Sequence, residues 1–144
     1  MQFRFEERGA MDLRSLRFLV LWPHKDKMED CILDADFLPS TRHFAAFDNE
    51  NNVLACCTLM PESRIVEGQV YSMRLRAMAS HPDVRGSGMA RELLSFALGH
   101  FLGEKFWCDA RLMAVPFYER CGWRVRSEAY EIPIIGTHFL MTIL

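Results

Sequence analysis

Residues 69–102 set a strand, a glycine-rich turn and an amphipathic helix in immediate succession, and no other stretch constrains the fold as tightly. Tyr71, Met73, Leu75, Ala77 and Ala79 alternate with Ser72, Arg74, Arg76, Met78 and Ser80, which predicts a long strand over 69–80. After His81-Pro82-Asp83, an apolar row of Met89, Leu93, Ala97 and Phe101 runs beside a second of Ala90, Leu94, Leu98 and Leu102. Rows at i, i+4, i+8 give a helix a broad buried stripe. Between strand and helix stands Val84-Arg85-Gly86-Ser87-Gly88-Met89-Ala90. Glycines at such a turn expose backbone N–H groups, the helix start adds partial positive charge, and Arg85 adds formal charge. This is the chemistry of a phosphate or pyrophosphate site.

Several readings of the loop compete at this point. A nucleotide P-loop ends in Gly-Lys-Ser/Thr, whereas Met89-Ala90 follows Gly88 here. A dinucleotide fingerprint wants Gly or Ala where Arg91 stands, and a parallel βαβ setting near the N-terminus. A coenzyme A pyrophosphate loop of the form [Gln/Arg]-x-x-Gly-x-[Gly/Ala] is matched by Arg85, Gly88 and Ala90. A glycine-rich helix start without any ligand is the plain structural alternative.

The rest of the chain supplies the context. Phe3 and Phe5 alternate with Gln2, Arg4 and Glu6 as in a short strand, and Leu13, Leu16, Leu19 and Val20 recur at helical spacing, with Arg17 off that stripe. Pro23 stops this helix, and residues 24–40 show no dominant period. Residues 43–47 and 53–60 flank Asp48-Asn49-Glu50-Asn51-Asn52, a strand–turn–strand pattern. Residues 61–68 read as a polar connection. Further on, 106–108 reads as a strand, Asp109 as a helix cap and 110–121 as a helix with Pro116 inside it. Residues 123–132 and 137–143 read as closing strands around 133–136. Strands and helices in this order predict an α/β (α+β) fold, a mixed, mostly antiparallel twisted sheet flanked by helices, with residues 1–144 as a single domain.

Composition limits the partners. With a formal net charge of -2 and acids and bases interspersed, nothing calls for nucleic acid or a membrane surface. The N-terminal residues alternate apolar and charged and do not read as a signal peptide, so a cytoplasmic setting is expected. The five cysteines are odd in number and never spaced Cys-x-x-Cys, which predicts reduced thiols, mostly in the core, and no metal site.

The run from Leu75 to Ala90 resembles motif A of the GNAT superfamily of N-acetyltransferases. Trp107-Cys108-Asp109-Ala110-Arg111 and the run from Ala114 to Trp123, containing Phe117-Tyr118-Glu119-Arg120-Cys121-Gly122-Trp123, resemble its motif B. Trp123 takes the place of the usual Phe. Ile132-Pro133 and Gly136-Thr137-His138-Phe139-Leu140-Met141 resemble the tail of a small bacterial branch of unassigned substrate.

The resemblance implies a sheet splayed between its central strands and acetyl-CoA as acyl donor. Its pantetheine arm would be held by the backbone of Met78, Ala79 and Ser80, and its pyrophosphate by Arg85, Gly86, Ser87, Gly88, Met89 and Ala90. A neutral amine of a small molecule or peptide would attack the thioester directly, with a backbone N–H near Met78 or Ala79 facing the developing oxyanion. Tyr118 matches the tyrosine that protonates the departing thiolate. The strand glutamate that serves many relatives as base is missing, since no carboxylate lies between Tyr71 and Ser80. His138, His43, Glu62 and Asp109 are the candidates for that task, with His138 in the motif-like tail suited by its ordinary pKa. Cys108 and Cys121 read as core residues, not nucleophiles. Arg74 and Arg76 are candidates for an anionic part of the acceptor, and Trp22 and Phe37 for a lid, with packing into the core edge as the alternative. The rival function is a non-catalytic acyl-CoA sensor. The acceptor and a homodimeric state stay open.

Overall fold

The computed structural model describes residues 3–143; Met1, Gln2 and Leu144, and with them the Gln2 end of the expected first strand, lie outside these. The strands are β1 (Arg4–Arg8), β2 (Arg42–Phe47), β3 (Val53–Val66), β4 (Gln69–Ser80), β5 (Phe106–Arg111), β6 (Arg124–Val125), β7 (Tyr130–Ile132) and β8 (Gly136–Ile143). The α-helices are α1 (Arg14–Val20), α2 (Met89–Leu98) and α3 (Val115–Arg120). The architecture is α/β with a mostly antiparallel sheet, and the chain divides into two compact units, 1–60 with 77–102, and 61–76 with 103–144.

In the first unit the strands pair in the order β1-β2-β3-β4. Residues 43–47 of β2 are buried throughout, because helices cover both faces of the strand. Ala45 and Phe47 point to Leu13 and Leu16 of the α1 segment, together with Cys56 and Ala79. Phe44 points the other way, edge-on to Phe96 of α2 at 6.1 Å between centroids. Period-two alternation is what lets one strand serve two helices. The α2 stripe is buried at Met89, Leu93, Leu94 and Ala97, but the helix ends at Leu98, earlier than the apolar rows predict. Leu102 is consequently exposed beyond it.

Arg17 corrects the reading of the first helix: it is completely buried, while Leu19 is exposed. Its guanidinium meets the Asp36 carboxylate at 2.7 and 3.1 Å and donates to Thr58 Oγ1 (2.9 Å) and the Cys31 carbonyl (3.3 Å). Asp36 Oδ2 also accepts the Leu33 N–H. The aperiodic segment 24–40 is thus held by a polar core: short 3₁₀ turns at Met28–Asp30 and Asp34–Phe37, the latter locked by Asp36.

In the second unit the order is β3-β4-β5-β8-β6, with β7 also on β8. β4 and β5 are parallel, and their ladder joins only Met73 to Phe106 and Arg74 to Trp107. Val66, Tyr71, Trp107 and Leu140 form one buried apolar cluster of this unit. Residues 61–66 are strand rather than connection. The turn is the left-handed pair Glu67-Gly68. The predicted helix over 110–121 is also shorter: β5 runs on to Arg111, a 3₁₀ turn spans Leu112–Ala114, and α3 starts at Val115 with Pro116 in its first turn. There a missing N–H costs nothing.

Candidate active site

The loop expected to bind the donor lies in the first unit. Gly86 and Gly88 have φ of 82° and 86°, a left-handed backbone that other residues adopt only at a cost. A Cβ built on either would meet nothing within 4 Å, so the space above the loop is open. Ser87 braces the turn, its hydroxyl donating to the Val84 carbonyl and accepting the Met89 N–H. Its N–H goes to Val84 as well, and that of Arg85 to Pro82. The N–H groups of Ala90 and Arg91 lie in the first turn of α2, where helix geometry provides no acceptor. Arg85 is exposed, Met89 fully buried and Ala90 half-buried. This arrangement fits a pyrophosphate, with the backbone and Arg85 as donors and the Ser87 side chain spent on holding the turn.

Upstream, Ala77 stands at φ 51° within β4. A non-glycine residue there costs about 1–3 kcal/mol. The strain falls just before Met78, Ala79 and Ser80, of which Ala79 is buried in the core and the other two are half-buried.

The side chains with acid–base chemistry gather in the second unit. Tyr118 is buried in α3, its ring T-shaped on Phe117 (5.3 Å) and tilted on Trp123 (5.5 Å). His138 is buried on β8, and its Nδ1 lies 2.7 Å from the Gly136 carbonyl oxygen. A carbonyl only accepts, so Nδ1 carries the proton and Nε2 of the neutral ring keeps its lone pair. Tyr130 stacks on the imidazole at 6.2 Å and 26°. Its hydroxyl donates to Asp109 Oδ1. Burial, helped by this bond, pushes the Tyr130 phenol well above its usual range and keeps it protonated.

Asp109 is therefore not a helix cap. It sits in β5 and holds Tyr130 with one oxygen and Arg74 with the other, at 2.8 Å. Arg74 also reaches both oxygens of Glu62 at 3.2 Å and lies 4.8 Å from the Trp107 ring centroid. Paired with two carboxylates, Arg74 brings no net positive charge for an anionic acceptor. Three of the four candidate bases, His138, Glu62 and Asp109, thus belong to one connected cluster. His43 stands apart from them: both its nitrogens are committed, to Thr58 Oγ1 and the Asp36 carbonyl, in the first unit.

Cys108 is buried in β5 and burial pushes its thiol far up; Cys57 behaves alike, and Cys56 is pushed up to about 12. Such thiols are poor nucleophiles. Titration of the native protein with an aromatic disulfide at neutral pH is expected to release at most one equivalent promptly, from half-buried Cys121, and five after denaturation. Prompt release of three or more would contradict this burial. Phe37 is exposed, and Trp22 lies half-buried near the Arg17 guanidinium (5.7 Å).

The model of the acetyltransferase (GNAT) domain matches residues 39–125, more than half of the chain. An N-acetyltransferase of Bacillus subtilis (strain 168), YitI, itself uncharacterised, is 28% identical over 134 residues, covering 90% of this chain and 88% of that protein. The fold is shared with Escherichia coli ElaA, at a TM-score of 0.76 and 17% identity over 98% of this chain and 99% of that one. It is shared also with an aminoglycoside 6'-N-acetyltransferase complexed with coenzyme A, at a TM-score of 0.75 and 12% identity over 97% and 96%. On the domain match, which takes in the glycine loop, Arg111 and Tyr118 alike, this chain belongs to the GNAT acetyltransferase family.

Proposed function

We propose that this chain, acting as a single domain in the cytoplasm, transfers an acetyl group from acetyl-CoA to a primary amine of a small molecule or peptide. The observation that carries the reading is the braced loop: left-handed Gly86 and Gly88, open space above them, and Arg85 ahead of the first turn of α2. Acetyl-CoA supplies the activated thioester. The loop binds its pyrophosphate, and the backbone of Met78, Ala79 and Ser80 holds the pantetheine arm. Nε2 of His138 takes the proton from the incoming ammonium, directly or through water, and Tyr118 protonates the departing sulfur. The partner is an amine acceptor, with no metal in the reaction.

A thermal-shift titration with acetyl-CoA, with ATP and NAD as controls, tests the donor. Selective binding at a hundredfold excess over Kd stabilises the fold by about 2.7 kcal/mol. No shift at millimolar acetyl-CoA would overturn the loop assignment. Gly88→Val should abolish the shift, because a β-branched residue resists this φ and its side chain would occupy the open space. An unchanged shift would mean that acetyl-CoA binds elsewhere. Turnover with a panel of amines then separates the enzyme from a sensor, which would bind and not turn over.

A further inference from the structure

The short strand β7 pairs with β8 through Tyr130 and His138, Glu131 and Thr137, and Ile132 and Gly136. A ladder of this length holds an edge strand only weakly. The Tyr130 side chain adds a second tie, and it reaches across β8 to do so. Tyr130 starts opposite His138, yet its hydroxyl donates to Asp109 Oδ1, and Asp109 is the register partner of Leu140. Directly opposed residues share a face of the sheet, as do residues two apart on one strand. Tyr130, His138, Leu140 and Asp109 therefore stand on one side, with the phenol lying over β8. Its ring packs against the cluster of Trp107 and Leu140 and stacks on the imidazole. The anchor is itself fixed: Asp109 Oδ2 accepts from Arg74 at 2.8 Å, and Arg74 is held in turn by Glu62. The Trp107 indole N–H donates to the Glu62 carbonyl at 2.7 Å. Strands β3, β4, β5 and β7 thus all contribute to placing one phenol.

We propose that Tyr130 is the positioning residue of this site: anchored by Asp109, its ring sets the plane of the His138 imidazole and so the direction of Nε2. The imidazole has one hydrogen bond to hold it, from Nδ1 to the Gly136 carbonyl, and that fixes a single ring atom. The terminal torsion of a histidine is broad, so the ring can still tilt about such a bond. A second ring stacked on it, 26° from parallel, restricts the tilt. The anchored hydroxyl keeps the phenol from swinging away, because a bond to a carboxylate is stronger than one to a neutral acceptor. Direction matters for proton transfer, since a reacting group misplaced by about 1 Å can lose about a hundredfold in rate. The arrangement also gives Asp109 and Glu62 a role that needs no contact with the substrate. They act through Arg74 and Tyr130, and Tyr130 acts through His138.

The inference rests on the base role proposed above for His138, so the test separates the two. The primary readout needs no amine: the tautomer of the neutral His138 imidazole, read by nitrogen-15 NMR in the full chain. Its resonances, among those of five histidines, are identified by their disappearance in His138→Gln. Wild type should show the single tautomer with the proton on Nδ1. Tyr130→Leu, which removes ring and hydroxyl, should mix in the tautomer with the proton on Nε2. In turnover, kcat should fall about a hundredfold in Tyr130→Leu and about tenfold in Tyr130→Phe, with KM for acetyl-CoA unchanged. Tyr130→Phe keeps the ring in its packing and loses only the anchor, so its loss of kcat cannot be put down to misfolding. A merely structural role would leave the tautomer alone and move KM along with kcat. An unchanged tautomer in Tyr130→Leu overturns the proposal. So does wild-type kcat in both Tyr130 variants when His138→Gln is inactive. Full activity in His138→Gln would overturn the base assignment itself, and would do so whatever the tautomer shows.

Discussion

Replacing Asp36 with asparagine is expected to remove about 3–5 kcal/mol of stability, the cost of leaving a buried charge without its partner. Arg17 and Asp36 have no exposed side-chain surface, and the guanidinium loses its bidentate contact while remaining inside the core. Thr58 and the Cys31 carbonyl accept from it but carry no charge to offset it. A second effect is local. The Asp36 carboxylate also caps the Leu33 N–H, so the 3₁₀ turn at Asp34–Phe37 loses its lock. Urea unfolding of wild type and variant at neutral pH reads the difference as a shift in midpoint. The double variant Arg17→Met, Asp36→Leu should recover much of the loss, because an apolar pair removes the desolvation cost along with the attraction. If the single variant unfolds within about 1 kcal/mol of wild type, the pair is not the clamp described here. Proteolysis should first cut the variant within residues 24–40, the segment that this pair ties to β3.

Tyr118→Phe should lower kcat by about a hundredfold to ten-thousandfold, the range for removing a positioned proton donor. The substitution keeps the ring, and with it the contacts to Phe117 and Trp123. It does not touch the glycine loop, so the thermal shift with acetyl-CoA should survive. Loss of turnover with retained donor binding is the signature of an acid that acts on the leaving sulfur. Turnover within threefold of wild type would move that role to water or to another residue. Loss of acetyl-CoA binding would instead mark Tyr118 as part of the donor site. The measurement uses the best amine of the panel, at saturating acetyl-CoA.

Much of the scaffold was legible because hydrophobic period reports which face of an element is covered. The alternation over 69–80 and the i, i+4 rows after Gly88 predict β4 and α2. The turn residues Asp48 to Asn52 marked the β2–β3 hairpin for the same local reason: their side chains, Asp48 above all, bond their own backbone. Legibility failed where burial is one-sided or polar. Residues 61–66 of β3 are exposed except at Glu62 and Val66, so they carry no apolar alternation and read as a loop. Asp109 reads as a cap in the sequence because Asp before a helical pattern usually is one. Its partners lie 35 residues before it and 21 after.

The sequence by itself determined the glycine loop between a strand and a helix, the family to which its motifs point, and Tyr118 and His138 as candidates for proton transfer. Those are local facts: left-handed turns, helix starts and residue types at fixed spacing are properties of short windows. Only the tertiary structure decided that Arg17 is buried against Asp36, that Arg74 is neutralised by Glu62 and Asp109, and that Arg111, His138 and Tyr130 stand in one row. A charged side chain looks the same in sequence whether it faces water or a partner. What distinguishes the two is strand register, which is set by contacts between residues far apart in the chain.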